Sequence, residues 1–224
     1  RSVTMAAGGM YVEPGANDVA FQPLRELETE VDISWASEFI KLLLEMQGIK
    51  TDATMSEAIT VALKQIRDEK DPDDRTITTF QQYVNYTNPM TGLNDIRTGV
   101  QPYTINGEYG RIFDAANTNF SLSKWIMIEM GTLMKMGQQA VTPALFFIFR
   151  FIEKVYSKPN GDPTGDPTLL ILDEAWVFLD NPFFAKKIEE WLVTLRKKHV
   201  FCVFATQEVA KAVKSSLSTT IISQ

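Results

Sequence analysis

Hydrophobic residues along this chain change period several times, and each change marks an element. The tightest run is Thr168-Leu169-Leu170-Ile171-Leu172, which ends in Asp173-Glu174-Ala175-Trp176. Four consecutive aliphatic residues show no alternation, which predicts a strand buried on both faces, as in a parallel sheet covered by helices. A second run, Val200-Phe201-Cys202-Val203-Phe204-Ala205, ends in Thr206-Gln207. Between them, Asn181-Pro182 opens a helix with Phe184, Ile188, Trp191, Leu192 and Leu195 on one face and Lys186, Lys187, Glu189 and Glu190 on the other. That helix closes on Arg196-Lys197-Lys198-His199, where cations suit the negative end of the helix dipole. Strand, helix and strand over this length predict a βαβ unit with parallel strands and a right-handed crossover.

Upstream the pattern is mostly helical. Val3 to Ala7 and Met10 to Val12 flank Gly8-Gly9 and read as a hairpin, the glycines forming a plain turn. Ile40, Leu43, Leu44 and Gln47 have helical spacing, with Asp32 as N-cap and Gly48 as stop. Thr54 and Glu57 have capping-box spacing before Ala58, Ala62, Leu63 and Ile66, and Asp71-Pro72-Asp73-Asp74 ends that helix. Thr78 with Gln81 opens a shorter helix to Val84, and Asn88-Pro89 starts a polar connection to Gly107. Residues 31–105 therefore read as helical without strands. Residues 107–114 read as a turn and strand, 122–136 as a buried helix whose methionines fill core, and Pro143 as the start of another apolar helix to Tyr156. A Pro- and Gly-rich loop over 157–167 then leads to the acidic strand.

Composition narrows the classes. The chain has 224 residues, 45% hydrophobic, enough for one large domain or two small ones with a packed core. A net charge of −6 with interspersed signs gives no globally basic nucleic-acid surface. One cysteine and one histidine provide no structural zinc set and no intrachain disulfide. The most apolar stretch, 144–149, ends at Arg150 and is far too short to span a bilayer, and no signal peptide is visible. The chain opens at Arg1 rather than methionine, which reads as a fragment.

The candidate chemistry gathers at the two strand tips. Ligands in open α/β sheets bind beyond the carboxyl ends of strands. An aliphatic strand ending in two acids has the form of a Walker B motif, in which the first acid, Asp173, holds Mg²⁺ and the second, Glu174, orients the attacking water. The alternative is a buried strand ending in a solvated acidic turn. Gln207 at the neighbouring tip is either a sensor of the γ-phosphate or a cap of the following helix. Arg196 is either dipole complement or an arginine finger reaching a neighbouring subunit's nucleotide, and the basic run could also face DNA. Arg111 could reach phosphate or make a surface ion pair. No G-x-x-x-x-G-K-[ST] loop occurs in the chain.

Taken together, 169–176, 191–199 and Phe204-Ala-Thr-Gln207 resemble the conjugation and type IV secretion ATPases of the TrbE kind. Phe21-Gln-Pro-Leu24, Tyr109-Gly-Arg-Ile-Phe-Asp114 and Ile128-Glu-Met130 extend the resemblance in the same order over essentially the whole chain. The resemblance implies an α/β, RecA-like P-loop NTPase core, a mostly parallel sheet with helices on both faces. The core takes residues 1–30 and 106–224, with an all-α insert at 31–105. It also implies ATP and Mg²⁺ as cofactors and a homo-oligomer, a hexamer when active. The expected partners are other type IV secretion components and a DNA or protein substrate, and the expected place is the bacterial cytoplasm, peripheral at the inner membrane. Asp173 and Glu174 match the Walker B pair, Gln207 the sensor glutamine and Arg196 the candidate finger. Without a P-loop, the isolated chain is expected to bind ATP poorly and hydrolyse almost none. The second reading is a scaffold or docking module that keeps the fold and not the chemistry.

Overall fold

The computed structural model describes residues 2–16, 19–116, 118, 125–157, 168–173 and 200–205. The chain divides into two compact units, Arg1–Ile152 and Glu153–Gln224.

The first unit opens with helix α1 (Ser2–Ala6), turns at Gly8 (φ +72°), and continues as strand β1 (Met10–Val12). The expected hairpin does not form. The Gly8 and Gly9 amides bond back to the Met5 and Thr4 carbonyls, closing a helix where a strand was expected. β1 instead pairs in parallel with strand β2 (Ile126–Ile128), with Met10 opposite Ile126 and Val12 opposite Ile128. Gly9 permits this, because a Cβ there would lie 2.8 Å from the Trp125 carbonyl oxygen. The same pairing overturns the buried helix expected over 122–136. Ile126 and Ile128 suit an extended backbone, and helix α7 is confined to Gly131–Lys135.

No strand occurs between residues 31 and 105, all of which are described. Helix α2 (Glu30–Met46) is capped by Thr29, not Asp32. Thr29 accepts from the Asp32 amide while the Asp32 carboxylate accepts from the Thr29 amide, a reciprocal box in which Asp32 stands at the third helical position. Helix α3 (Ala53–Glu69) is capped by Asp52, two residues before the expected Thr54. Helix α4 (Ile77–Tyr83) is capped by Thr76. A further short helix, α5 (Asp95–Val100), lies inside the connection read as polar loop.

Residues 107–114 form a turn and the short helix α6 (Gly110–Phe113) rather than a strand. The reason is close backbone approach: a Cβ at Gly107 would collide with the Pro102 carbonyl, and one at Gly110 with the Thr104 carbonyl. Helix α8 (Gln138–Ser157) begins five residues before Pro143, which lies inside it. Phe21, Phe39, Phe113 and Tyr103 are fully buried, and Phe146 and Phe147 of α8 nearly so. Trp35 stacks on Phe39 and Phe146, each with centroids 5.4 Å apart. Rings of this size contribute roughly 1.5–3 kcal/mol each on burial, so this cluster dominates the core that joins α2 to α8.

In the second unit, strands β3 (Thr168–Leu172) and β4 (Val200–Phe204) pair in parallel and in register, from Thr168 opposite Val200 to Leu172 opposite Phe204. The expectation of burial on both faces fails for the described residues. Leu169, Ile171, Phe201 and Val203 are 46–62% exposed on one face, while their alternate neighbours are covered to differing degrees.

Candidate functional site: the acidic strand tip

β3 and β4 run the same way, so their carboxyl ends share one rim. The ladder extends one rung further, the Ala205 amide donating to the Leu172 carbonyl at 3.0 Å. Asp173 is the first residue beyond β3 and is exposed. An exposed carboxylate at the carboxyl end of a parallel strand fits what Mg²⁺ asks of a protein, one or two carboxylates with water and phosphate supplying the rest. Glu174 follows Asp173 directly, Gln207 lies two residues beyond Ala205, and both fall outside the described residues, as does Arg196. Among the described residues no three acids, histidines or cysteines converge as a metal-binding group. Cys202, within β4, is free and partly covered, and burial pushes its thiol up to about 11. It is therefore neutral and unreactive at neutral pH.

Arg111 sits exposed on α6, in the first unit, whereas Asp173 belongs to the second. Its guanidinium makes no ion pair with any described residue, so the surface pair weighed for it is absent among them.

The upstream segments that carry the sequence resemblance are structural ties. The Gln22 side-chain amide donates to the carbonyls of Pro72 (2.6 Å), Asp73 (3.1 Å) and Arg75 (3.5 Å), fixing the 21–24 turn to the end of α3. Phe21 brackets α6, its amide donating to the Ile112 carbonyl and its carbonyl accepting from the Ala115 amide. Asp114 is buried and accepts from the Thr78 amide at 3.0 Å and from the Thr78 hydroxyl, so it serves the exposed amides at the start of α4. Glu129, directly after β2, accepts from the Gly131 amide.

Sequence reasoning passed over Arg75. It is buried, donates to the carbonyls of Lys70, Arg25 and Arg67, and pairs with Glu28 at 2.6 Å. The only signal in the sequence is a lone arginine after an acidic run. Glu13 was passed over as well. It leaves β1 beside Glu129 and accepts from the Tyr11 and Thr132 hydroxyls.

Comparison with known proteins follows the same line. The chain is 33% identical over 230 residues to a probable conjugal transfer protein TrbE of Sinorhizobium fredii, covering 96% of this chain and 31% of that protein. It is also 33% identical over 211 residues to the conjugal transfer protein TrbE of Rhizobium radiobacter, covering 94% of this chain and 24% of that one. Its fold matches the solved VirB4 of Thermoanaerobacter pseudethanolicus with a TM-score of 0.70 at 16% identity, over 96% of this chain and 61% of that one. The chain is a TrbE/VirB4-like segment. It spans less than a third of the length of these TrbE relatives. No protein-family profile matches it. In this TrbE/VirB4-like segment, no helix among the described residues is long and apolar enough to cross a membrane.

Proposed function

We propose that this chain is part of the motor region of a conjugal-transfer ATPase and that the rim beyond β3 and β4 is its hydrolytic edge. The observation that carries the reading is the parallel, registered pairing of the two strands, with Asp173 and Ala205 leaving on one side. Residues 1–30 and 106–224 belong, on this reading, to a RecA-like core and 31–105 to an inserted helical part.

The division of labour follows from charge and reach. The Asp173 carboxylate holds Mg²⁺ through its water shell, and a bound Mg²⁺ supplies neutralisation of charge on the phosphate oxygens. Glu174 accepts a proton from the attacking water and aims it at the γ-phosphate. Gln207, neutral and able to donate and accept, reads the phosphate or that water. Arg196 and Arg111 are the two guanidiniums assigned to phosphate, Arg196 from a neighbouring subunit. The working assembly is a homo-oligomer, a hexamer, at the cytoplasmic face of the bacterial inner membrane. There it acts with other type IV secretion components on a DNA or protein substrate. The names of the TrbE relatives support the conjugative setting.

The second reading, a scaffold without turnover, draws on one fact: these 224 residues contain no G-x-x-x-x-G-K-[ST] loop. Glu174→Gln in the full-length protein separates the two. The motor reading expects turnover to fall by roughly 100-fold or more while nucleotide affinity stays within about threefold. Unchanged turnover removes Glu174 from its role, and no turnover in the unaltered protein favours the scaffold.

A further inference from the structure

Pro143 stands inside α8 and has no amide hydrogen, so the Gln139 carbonyl one turn earlier loses its helical donor. Another donor stands in its place: the Tyr103 hydroxyl donates to that carbonyl at 3.0 Å. The arrangement is built from several sides. The Tyr109 hydroxyl donates to the Gln139 side-chain oxygen at 3.0 Å, and the Gln139 side-chain nitrogen reaches the Met46 carbonyl at the end of α2 at 3.4 Å. The Gln47 side-chain amide donates to the Tyr103 oxygen at 3.4 Å. The Tyr103 ring is fully buried against Tyr109 and Phe113, with centroids 5.2 and 5.8 Å away. Burial also raises its hydroxyl well above the ordinary phenol range, so it stays a donor.

We propose that Tyr103 is the latch of a hinge in α8 at Pro143. The missing amide weakens the helix between residues 138–142 and the rest of α8. Gly137, at φ +86°, separates that first turn from α7. With the latch closed, the first turn is fastened to the block formed by residues 101–113 and the end of α2. With it open, the turn and the β2–α7 segment before it move against that block. The latch is independent of nucleotide chemistry.

The test is amide hydrogen exchange on the full chain over residues 138–147, with α3 as an internal control. Tyr103→Phe keeps the ring and removes the donor. Exchange over 138–147 is expected to speed up by roughly 2- to 10-fold, the net worth of one hydrogen bond, with α3 unchanged. Pro143→Ala restores a backbone donor to the Gln139 carbonyl, so in that background Tyr103→Phe should change exchange by less than about half as much on a logarithmic scale. An equal loss in both backgrounds, equal acceleration in α3, or no change on Tyr103→Phe would each overturn the latch. Should Tyr103→Phe fold poorly, Tyr109→Phe gives the second reading. It removes the bond to the Gln139 side chain only, so Pro143→Ala must leave its effect unchanged, and an equal rescue overturns the latch.

Discussion

Buried polar side chains in this protein are mostly carbonyl and amide collectors, and Arg75 is the fullest case. One guanidinium gathers three backbone carbonyls and a carboxylate where α3 ends, a geometry that a lysine ammonium does not reproduce. Cys202 illustrates the opposite situation, a group isolated by its surroundings. Its thiol is raised by burial, so the folded chain holds the proton more tightly than the unfolded one. The associated stability is complete below the unfolded thiol pKa, about 8.5, and is lost as pH rises toward 11. Alkylation by iodoacetamide at pH 8 should accordingly be at least about tenfold slower in the folded chain than in urea. Equal rates would show that the thiol is not shielded. Single residues were the least legible feature of the sequence. Thr29, Asp52 and Thr76 cap helices for which Asp32, Thr54 and Thr78 looked equally suitable. Neighbouring threonines and acids offer the same chemistry, and only the backbone geometry chooses among them.

At the scale of elements, α2 and α8 are joined by aromatic stacking and by one partly covered ion pair. The Arg150 guanidinium meets the Asp32 carboxylate at 3.1 Å and lies over the Trp35 ring at 5.9 Å. Asp32 also completes the cap of α2, so the pair ties a helix start to the middle of another helix. Removing one partner leaves the other charge poorly solvated. Asp32→Ala and Arg150→Ala are each expected to cost about 2–4 kcal/mol, and the double variant at least about 1 kcal/mol less than their sum. Urea unfolding of the four proteins measures this, and strict additivity would mean the pair is not coupled. Helices α2 and α3 were legible because their apolar residues recur at helical spacing along one face. β1 and β2 were not, because each is three residues long and finds its partner far along the chain. A short apolar segment carries no period long enough to separate strand from helix. The same shortness explains α6, where the glycines signalled a turn but not the helix that close packing forces after it.

At the scale of the molecule, the βαβ reading of 168–205 placed two parallel strands side by side, and they pair residue for residue. That was legible because aliphatic runs separated by one helix length leave few topologies. What the pattern could not convey is the exposure of one face, Leu169, Ile171, Phe201 and Val203, since an unalternating apolar run reads as covered on both sides. The functional account rests on the shared rim at Leu172 and Phe204, and a nucleotide complex tests it most directly. In a structure of the full-length protein with Mg²⁺ and a non-hydrolysable ATP analogue, the metal should lie about 4–5 Å from the Asp173 carboxylate, one water away. Glu174 and Gln207 should then face the γ-phosphate. A nucleotide bound away from the β3–β4 rim would contradict the account.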